Sequence, residues 1–449
     1  MSNKLFGTDG IRGIANAYPL TIDFCTRLAQ ALSQTICTQK HKVAIARDTR
    51  ISGSMLFSSL AAGFTSQGID VIDLGIIPTP LCTTLTPTLE VDMSIMITAS
   101  HNPYQDNGLK LIAANGDKFS DAQSAQVEEL LAQNLDINYS PDKIGNITAI
   151  NVGLEHYLKV AEKIAGKNAL SGMKIVLDSA NGAFSNILPE VYRRLGAQII
   201  SIADTPDGCN INQNCGSQHT EKLCQTVIDS NSQIGIAVDG DGDRIIVCDE
   251  KGQRLNGDQI IAYLATYFKQ HSLLKGNTAV ATIYSNLGLG KYLKSLGINY
   301  CTSAVGERYV IEKMRETGAN VGGEESGHMV LSDYSLTGDA LLASLIICLG
   351  LKEANQKMSE IFPIFAPYPT AAHNLRFASK EEVAALLEKE ELQHCLQEAK
   401  EALADHGSVI VRKSGTEPVL RLKIEDESQE LVTEISEKIL NCIKKLSPA

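Results

Sequence analysis

The sequence has no apolar run long enough to cross a membrane. No segment of its 449 residues contains about 18 uninterrupted apolar residues, the length that a transmembrane helix requires. The first residues, 1–8, also lack the apolar stretch that a secretory signal peptide needs. We therefore expect a cytoplasmic protein that has no membrane as its partner.

A basic tract is also missing. The chain has 40 Lys and Arg residues against 52 Asp and Glu residues, which is a formal net charge of −12. Because nucleic-acid binding depends on clustered positive charge, this balance argues against nucleic acid as a partner. An anionic ligand would instead require arginines and lysines that are concentrated locally against this negative background.

The eleven cysteines lack the CxxC spacing that is typical of zinc and redox sites. They are scattered along the chain and odd in number, so the sequence predicts no disulfide framework. We expect reduced thiols that serve mostly as small core residues.

A strand–helix–strand unit occurs three times, in a chain too long for a single hydrophobic core. Each unit has an apolar strand, a polar turn, a helix and a second apolar strand. The predicted strand pairs are 42–46 with 68–74, 174–178 with 196–202, and 278–283 with 297–301. The glycine that opens each second strand suits the left-handed conformation that closes a helix. The fold class is therefore α/β, with three repeated, mixed but largely parallel α/β domains.

The last part of the chain follows a different pattern. Two strands, at 409–412 and 419–424, flank a glycine turn, and helices near 380–404 and 426–445 would cover one face of their sheet. This predicts a small C-terminal α+β domain. The predicted domains are 1–148, 149–252, 253–365 and 366–449.

Ser100 stands in a polar turn directly after the apolar run 93–97. The turn reads Thr98-Ala99-Ser100-His101-Asn102-Pro103, without the Gly-x-Ser-x-Gly elbow of acyl-transfer enzymes. Phosphoryl chemistry fits better, because a phosphate on Ser100 would add a charge of about −1.5 to −2 and could ligate a cation. The alternative is a structural Asx-type turn closed by the proline.

Three aspartates alternate with glycines between two apolar strands, in Asp239-Gly240-Asp241-Gly242-Asp243. In a regular strand, alternate residues are about 6.6 Å apart, too far for oxygens that meet around one Mg²⁺ ion. We expect the backbone to curl, because glycine tolerates a positive φ. An EF-hand is disfavoured, since its sixth position would be Arg244 and the flanks are not helical. A plain acidic turn is the remaining alternative.

Two further polar loops complete the set. Residues 412–416 with Arg421 combine guanidinium groups, hydroxyls and free backbone N–H groups around a glycine, a composition that suits an anion. Residues 323–328 offer acceptors and a histidine that suit sugar hydroxyls. A charged hairpin and a surface loop, respectively, are the structural alternatives. A loop that can bind phosphate together with a loop that can accept hydrogen bonds from hydroxyl groups indicates that the ligand is a sugar phosphate.

Together these segments resemble the α-D-phosphohexomutase superfamily, and most of all its bacterial phosphoglucosamine mutase branch. The resemblance extends over essentially the whole chain. The superfamily is indicated by the serine and aspartate loops, and the branch by 6–13, 206–212, 215–217 and 304–310. It implies four domains in a heart-shaped molecule with a central cleft, and an isomerase that interconverts glucosamine 6-phosphate and glucosamine 1-phosphate through a 1,6-bisphosphate. The product would supply UDP-N-acetylglucosamine synthesis and peptidoglycan precursors.

The resemblance also implies a role for each candidate residue. Ser100 would be the phosphoserine, and one Mg²⁺ would bind to its phosphate and to Asp239, Asp241 and Asp243. Catalysis would be assisted by Arg12, His101 and Lys110. The substrate would be held by Arg244, Glu324, Ser326, His328, Arg412, Ser414, Gly415, Thr416 and Arg421. Glucosamine 1,6-bisphosphate or glucose 1,6-bisphosphate would act as activator, and a homodimer is possible. The chain departs from the branch at Glu325, usually glutamine, and at Glu307, usually aspartate.

Other functions share parts of this pattern. A phosphoglucomutase or phosphomannomutase would use the same loops on another hexose. A serine-dependent metallophosphatase would share Ser100 and the aspartates but would have no use for the grip at 412–421. A non-catalytic sugar-phosphate sensor is disfavoured, because every candidate chemical group is present.

Overall fold

Four β-sheets follow one another along the chain, each accompanied by helices. The structure is a computed structural model that describes residues 5–7, 9–133, 140–404, 406–414 and 418–446. The strands are β1 (Ile11–Ile14), β2 (Lys42–Arg47), β3 (Asp70–Ile76), β4 (Met93–Ile97), β5 (Asp106–Ala113), β6 (Ile147–Ala149), β7 (Lys174–Asp178), β8 (Gln198–Ile202), β9 (Ile234–Val238), β10 (Ile245–Asp249), β11 (Arg254–Leu255), β12 (Thr278–Thr282), β13 (Asn299–Ser303), β14 (Val321–Gly323), β15 (Met329–Leu331), β16 (Thr370–Arg376), β17 (Ser408–Lys413) and β18 (Val419–Glu425).

Fifteen α-helices connect and cover these strands in the described ranges. They are α1 (Ile22–Thr35), α2 (Gly53–Thr65), α3 (Thr79–Leu85), α4 (Asp121–Ala132), α5 (Gly153–Ala165), α6 (Leu188–Arg194), α7 (Glu221–Ser230), α8 (Gly257–Gln270), α9 (Leu287–Ser295), α10 (Glu307–Thr317), α11 (Ala340–Ala354), α12 (Met358–Ile361), α13 (Lys380–Leu387), α14 (Glu390–Leu403) and α15 (Gln429–Leu446). Over the residues that can be described, none of the helices combines the length and the apolar character needed to span a bilayer.

The first three sheets share one plan, as the threefold repeat predicted. Their strand orders are β1-β5-β4-β2-β3-β6, β11-β10-β9-β7-β8 and β13-β12-β14-β15. In each, a central strand pairs in parallel with two neighbours, and antiparallel strands extend one side. All three predicted strand pairs are confirmed. The helix-closing glycines 68, 196 and 297 have φ angles of 76°, 90° and 66°.

The C-terminal sheet is antiparallel, with the order β16-β18-β17. The two predicted strands are present, whereas β16 was not predicted, because its sequence TAAHNLR has little of the β-branched and aromatic character of strands. The helical stretch predicted near 380–404 consists of two helices, α13 and α14. One face of the sheet packs its apolar side chains against α13–α15, and the opposite face carries Arg421, Lys423 and Glu425.

The core explains how the polar loops are positioned. One apolar cluster includes Leu81 of the first predicted domain, Phe184 of the second and Phe268 of the third, so these three units pack against one another. The C-terminal unit has a separate core.

The eleven cysteines are free thiols, as expected. The domain boundaries stay predictions, and the one between 148 and 149 falls within β6.

Candidate active site

Ser100 lies in the loop that follows β4, at the edge of the first sheet. Its φ is 54°, in the left-handed region that residues other than glycine rarely enter, and its side chain is buried. The hydroxyl donates a hydrogen bond of 2.6 Å to Oδ2 of Asp239, which is 139 residues away in the chain. The fold therefore brings the predicted serine into direct contact with the first predicted aspartate.

A buried arginine that the sequence analysis did not identify holds this loop. The Arg50 guanidinium donates hydrogen bonds to four backbone carbonyl oxygens of the serine loop, those of Ser100, Asn102, Pro103 and Asp106. Its Nε donates a further hydrogen bond of 2.8 Å to Asp48. Both residues follow β2, the strand next to β4. A charged cluster after a neighbouring parallel strand was the signal that could have identified them.

The second domain also fixes the serine loop. Nδ2 of Asn212 donates hydrogen bonds to the carbonyl oxygens of Ser100 (2.9 Å) and Asn102 (3.0 Å). Asn212 lies in a segment that the sequence analysis associated with the family but to which it gave no role.

Within the first domain, Thr98 also stabilises the serine loop. Thr98 Oγ1 accepts a hydrogen bond of 2.9 Å from the Ser100 N–H and donates one of 2.7 Å to Asp48.

The aspartate loop forms the hairpin between β9 and β10, as the flanking apolar runs predicted. Gly242 has a φ of 76°, in line with the expected curl. Gly240 is not in the left-handed region, and glycine is needed there for another reason. A Cβ at this position would lie 2.7 Å from the carbonyl oxygen of Ser100. The missing side chain therefore allows the aspartate loop to approach the serine loop.

The three aspartates form a buried group that fits a divalent cation. Asp239, Asp241 and Asp243 each offer a carboxylate oxygen, and these oxygens all lie within 4.8 Å of one another. Burial raises the pKa of Asp239, and the Asp243 and Asp241 carboxylates raise it further. Within the described ranges, Oδ1 of Asp241 and Oδ1 of Asp243 are buried without a hydrogen-bond partner. Oxygen ligands with uncompensated charge are those that hard divalent cations prefer.

Lys110 partly balances this charge from β5. Its Nζ lies 2.6 Å from Asp241 Oδ2 and 2.8 Å from Asp243 Oδ2. Burial lowers the pKa of Lys110, but the Asp241, Asp243 and Asp9 carboxylates outweigh it and place the pKa well above its usual value. Lys110 is therefore a cation at neutral pH. The same ion pair, against the effect of burial, keeps the pKa of Asp241 below its ordinary range.

Arg12 and His101 lie on either side of the serine. Arg12 Nη1 donates a hydrogen bond of 3.3 Å to the carbonyl oxygen of Ala99, and Nη2 forms an ion pair with Asp9. His101 Nδ1 lies 3.4 Å from the Ser100 hydroxyl. Burial, followed by the nearby arginines, lowers the pKa of His101 to about 4. Its imidazole is therefore uncharged at neutral pH and able to accept a proton.

The third predicted domain contributes the loop between β14 and β15. His328 is buried, and its Nε2 lies 3.2 Å from Glu307 Oε1 and 3.6 Å from Asp243 Oδ2. Burial opposes its protonation, but these two carboxylates raise the pKa of His328 to about 9. Glu324 accepts a hydrogen bond of 3.0 Å from the Gly306 N–H. Ser326 is exposed in the same loop.

Arg244 connects the aspartate loop to this hairpin. Its backbone forms an isolated antiparallel bridge with His328, and its N–H donates a hydrogen bond of 3.1 Å to Asp239 Oδ1. Its Nε lies 3.9 Å from Asp243 Oδ1. The fold thus gathers the predicted serine, the aspartates, Arg244 and His328 at one place.

The fourth-domain residues form a second group at a different place. Arg412 and Arg421 stand opposite each other on β17 and β18. The Arg412 guanidinium lies 4.7 Å from the centre of the Tyr284 ring, and its Nε donates a hydrogen bond of 3.2 Å to the Tyr284 hydroxyl. Ser414 is buried at the end of β17, while Gly415 and Thr416 lie outside the described residues. Arg412 thus lies against Tyr284 of the third domain.

Within the described residues, this second group places three cations on one surface. Arg412, Arg421 and Lys423 share one sheet face with Glu425, and Lys423 forms an ion pair of 2.8 Å with it. Around Ser100, in contrast, cations alternate with carboxylates. An anion would therefore meet an excess of positive charge on the C-terminal sheet, whereas at the serine it would require the help of a metal ion.

Comparisons with known proteins agree with this architecture. Four sequence models of phosphoglucomutase/phosphomannomutase domains match in order: alpha/beta/alpha domains I, II and III at residues 3–137, 155–252 and 256–368, and the C-terminal domain at 373–441. The chain belongs to the phosphoglucomutase/phosphomannomutase family, within the α-D-phosphohexomutase superfamily.

Relatives of known name match over their full length. A phosphoglucosamine mutase of Paramagnetospirillum magneticum is 41% identical over 449 residues, with 99% of each chain covered. One of Gluconacetobacter diazotrophicus is 42% identical over 446 residues, with 98% of each chain covered.

Solved structures show the same fold at low sequence identity. A phosphoglucomutase/phosphomannomutase family protein from Burkholderia thailandensis superposes with a TM-score of 0.83 at 23% identity, covering 99% of this chain and 98% of that one. The N-acetylphosphoglucosamine mutase of Aspergillus fumigatus, solved with GlcNAc-6P and magnesium, gives a TM-score of 0.67 at 16% identity, covering 99% and 96%.

Proposed function

We propose that this protein is a phosphoglucosamine mutase, which interconverts glucosamine 6-phosphate and glucosamine 1-phosphate. The observation that carries the proposal is the contact of the Ser100 hydroxyl with the buried aspartate triad, 2.6 Å from Asp239. The names of relatives that are 41–42% identical over nearly the whole chain support the choice of substrate. The product would supply UDP-N-acetylglucosamine synthesis.

Ser100 is the residue that carries the phosphoryl group in this proposal. Mg²⁺ would be held by Asp239, Asp241 and Asp243 together with the phosphate of Ser100. When bound, the ion supplies Lewis-acid polarisation and offsets negative charge on the phosphoryl oxygens. The loop suits such an ion because it offers three carboxylates, and two of their buried oxygens have no hydrogen-bond partner among the described residues.

Phosphoryl transfer breaks the bond between phosphorus and Ser100 Oγ and forms a bond between phosphorus and a sugar hydroxyl oxygen. The sugar hydroxyl loses its proton, and Ser100 Oγ regains one. We assign the proton transfer to His101, which is uncharged and 3.4 Å from Ser100 Oγ. A phosphate on Ser100 would favour the protonated imidazole, since an adjacent negative charge raises a histidine pKa. The Arg12 guanidinium and the Lys110 ammonium group would balance the charge of the phosphate.

The sugar and its second phosphate are held from opposite sides in this proposal. Sugar hydroxyls would contact Arg244, Glu324, Ser326 and His328. The phosphate that is not reacting would bind to Arg412, Ser414, Gly415, Thr416 and Arg421. A 1,6-bisphosphate that turns between two half-reactions can present either phosphate to Ser100, and free glucosamine 1,6-bisphosphate or glucose 1,6-bisphosphate would activate the enzyme. A cytoplasmic location and a homodimer belong to the same proposal.

Turnover of glucosamine 6-phosphate tests the proposal. The purified full chain is incubated with Mg²⁺, glucosamine 6-phosphate and a catalytic amount of glucose 1,6-bisphosphate, and the phosphorus NMR spectrum is followed. The 1-phosphate should accumulate, and Ser100→Ala should abolish its formation. Absence of turnover, in a protein whose Ser100 is shown by mass spectrometry to be phosphorylated, would rule the proposal out.

A substrate panel separates the hexoses. The value of kcat/KM for glucosamine 6-phosphate should exceed those for glucose 6-phosphate and mannose 6-phosphate. A preference for either neutral sugar would indicate a phosphoglucomutase or phosphomannomutase. Inorganic phosphate as the main product would indicate a phosphatase.

A further inference from the structure

Six ionisable side chains from three domains form a closed ring in which acidic and basic residues alternate. The first domain contributes three of them, the second one and the third two. In order around the ring they are Asp9, Lys118, Glu307, His328, Asp243 and Lys110, with successive N···O distances of 2.8, 2.8, 3.2, 3.6, 2.8 and 3.9 Å. The ring contains Lys110 and His328, and its Asp9 forms an ion pair with Arg12, so it connects three of the proposed catalytic and sugar-binding residues.

Lys118 connects the first domain to the third within this ring. Its Nζ lies 2.8 Å from Asp9 Oδ1 and 2.8 Å from Glu307 Oε2. Each partner is also bound to a proposed active-site residue, because Asp9 pairs with Arg12 and Glu307 lies 3.2 Å from His328. Lys118 itself lies one step away from both. It therefore connects Arg12 to His328 without belonging to either group.

Glu307 offers this lysine a fixed acceptor. Its side chain is only 3% exposed, at the start of α10. Its Oε1 accepts a hydrogen bond of 2.8 Å from the Gly338 N–H and another from the Thr337 hydroxyl. Because two donors of the third domain hold Oε1, the carboxylate keeps its place, and its Oε2 transmits the position of that domain to Lys118 through the ion pair.

We propose that Lys118 is a positioning residue, which holds Arg12 of β1 in the first domain and the His328 loop of the third domain at the spacing that phosphoryl transfer requires. The inference rests on the proposed function, since a hexose phosphate would have to lie between these loops. A misplacement of about 1 Å can lower the rate of an oriented reaction on the order of 10²-fold. Loss of Lys118 therefore affects the rate of reaction more than the binding of substrate.

The same domain contact contains a matched control. Arg315 of α10 forms an ion pair with Asp117, the neighbour of Lys118, with Nη1 donating a hydrogen bond of 3.0 Å. Its side chain is 54% exposed, and the pair is outside the ring. Exposed ion pairs of this kind contribute little to stability. Arg315→Gln thus removes a contact between the same domains and leaves the ring and its Lys118 contacts intact.

The experiment compares Lys118→Met, Lys118→Arg and Arg315→Gln in the full chain with Mg²⁺ and glucosamine 6-phosphate. Lys118→Met should lower kcat at least about tenfold with a KM change below about threefold, following the orientation argument. Lys118→Arg should restore kcat to within about threefold, and Arg315→Gln should leave both parameters unchanged. A normal kcat in Lys118→Met, or an equal loss in Arg315→Gln, would overturn the inference. A wild-type protein without turnover would instead contradict the proposed function.

A second readout does not depend on turnover. Hydrogen–deuterium exchange of the backbone in residues 306–328 should accelerate in Lys118→Met and stay at the wild-type rate in Arg315→Gln. Glu307→Gln, alone and combined with Lys118→Met, completes a double-mutant cycle. Since Glu307→Gln alone breaks the same ion pair, it can replace Lys118→Met if that variant folds poorly. The double variant should lose no more kcat than the worse single variant, because both substitutions break the same Lys118–Glu307 ion pair. If the kcat losses of the two single variants multiplied in the double variant, or if hydrogen–deuterium exchange in Lys118→Met stayed at the wild-type rate, the inference would be contradicted.

Discussion

Arg50→Lys should disable the serine loop although it conserves the charge. The Arg50 side chain makes five hydrogen bonds, one to Asp48 and four to the carbonyl oxygens of the serine loop. A lysine has three donors, so at least two of the five hydrogen bonds would be lost. Asn212 also donates to two of these carbonyl oxygens, so the cost is that of the lost hydrogen bonds and not of unpaired acceptors. Hydrogen bonds from a charged donor contribute about 1.5–3 kcal/mol each, so we expect the first domain to lose roughly 3–6 kcal/mol of stability.

This cost affects Ser100 directly. A residue other than glycine in the left-handed region is strained by about 1–3 kcal/mol and keeps that conformation only when its surroundings impose it. Once Arg50 no longer holds the loop, Ser100 can relax and its hydroxyl can leave Asp239. Both the phosphorylated fraction of Ser100 and kcat should therefore fall at least about tenfold, since tenfold corresponds to about 1.4 kcal/mol.

Intact-protein mass spectrometry, steady-state kinetics and thermal unfolding measure the three consequences. Arg194→Lys is the control, because Arg194 is 64% exposed and pairs with Glu190 on the surface of α6. The first unfolding transition of Arg50→Lys should shift down by more than about 5 °C, from 2–4 °C per kcal/mol in a domain of this size. If Arg50→Lys kept kcat within twofold and the transition within about 2 °C, the anchoring role would be refuted.

Three further predictions concern the same molecule. Ser100→Gly should be more stable than Ser100→Ala by about 0.5–1 kcal/mol in denaturant titrations, because only glycine relieves the positive φ; a less stable glycine variant would contradict the backbone argument. Mg²⁺ at about 100 times its Kd should stabilise the wild type by about 2.7 kcal/mol and should lose this effect in Asp243→Asn, as thermal shifts would show; equal shifts would exclude the triad as the metal site. Burial raises the pKa of Asp258 to about 7. The contribution of its neutral carboxyl group to the stability of the fold is therefore fully present below about pH 4 and is lost as the pH rises through 7. Unfolding curves of Asp258→Asn should accordingly depend less on pH between 4 and 7, and an unchanged dependence would disprove this.

The chain by itself determined those features that depend on neighbouring residues. Strand periodicity and helix-closing glycines predicted the three parallel strand pairs, and the alternation of aspartate and glycine predicted a curled, carboxylate-rich hairpin. Such patterns are local, because they follow from backbone geometry and from the face on which each side chain lies. The sequence could also identify Ser100, since it directly follows a buried strand.

Only the tertiary structure decided how these loops meet. The contact of Ser100 with Asp239 spans 139 residues, and the Arg50 and Lys118 contacts reach across the chain in the same way. Arg50 has one local signal, its place in a charged cluster after a parallel strand, whereas an isolated lysine such as Lys118 has the same local pattern on a surface as in a buried network. Their roles depend on which side chains the packing of three domains places opposite them.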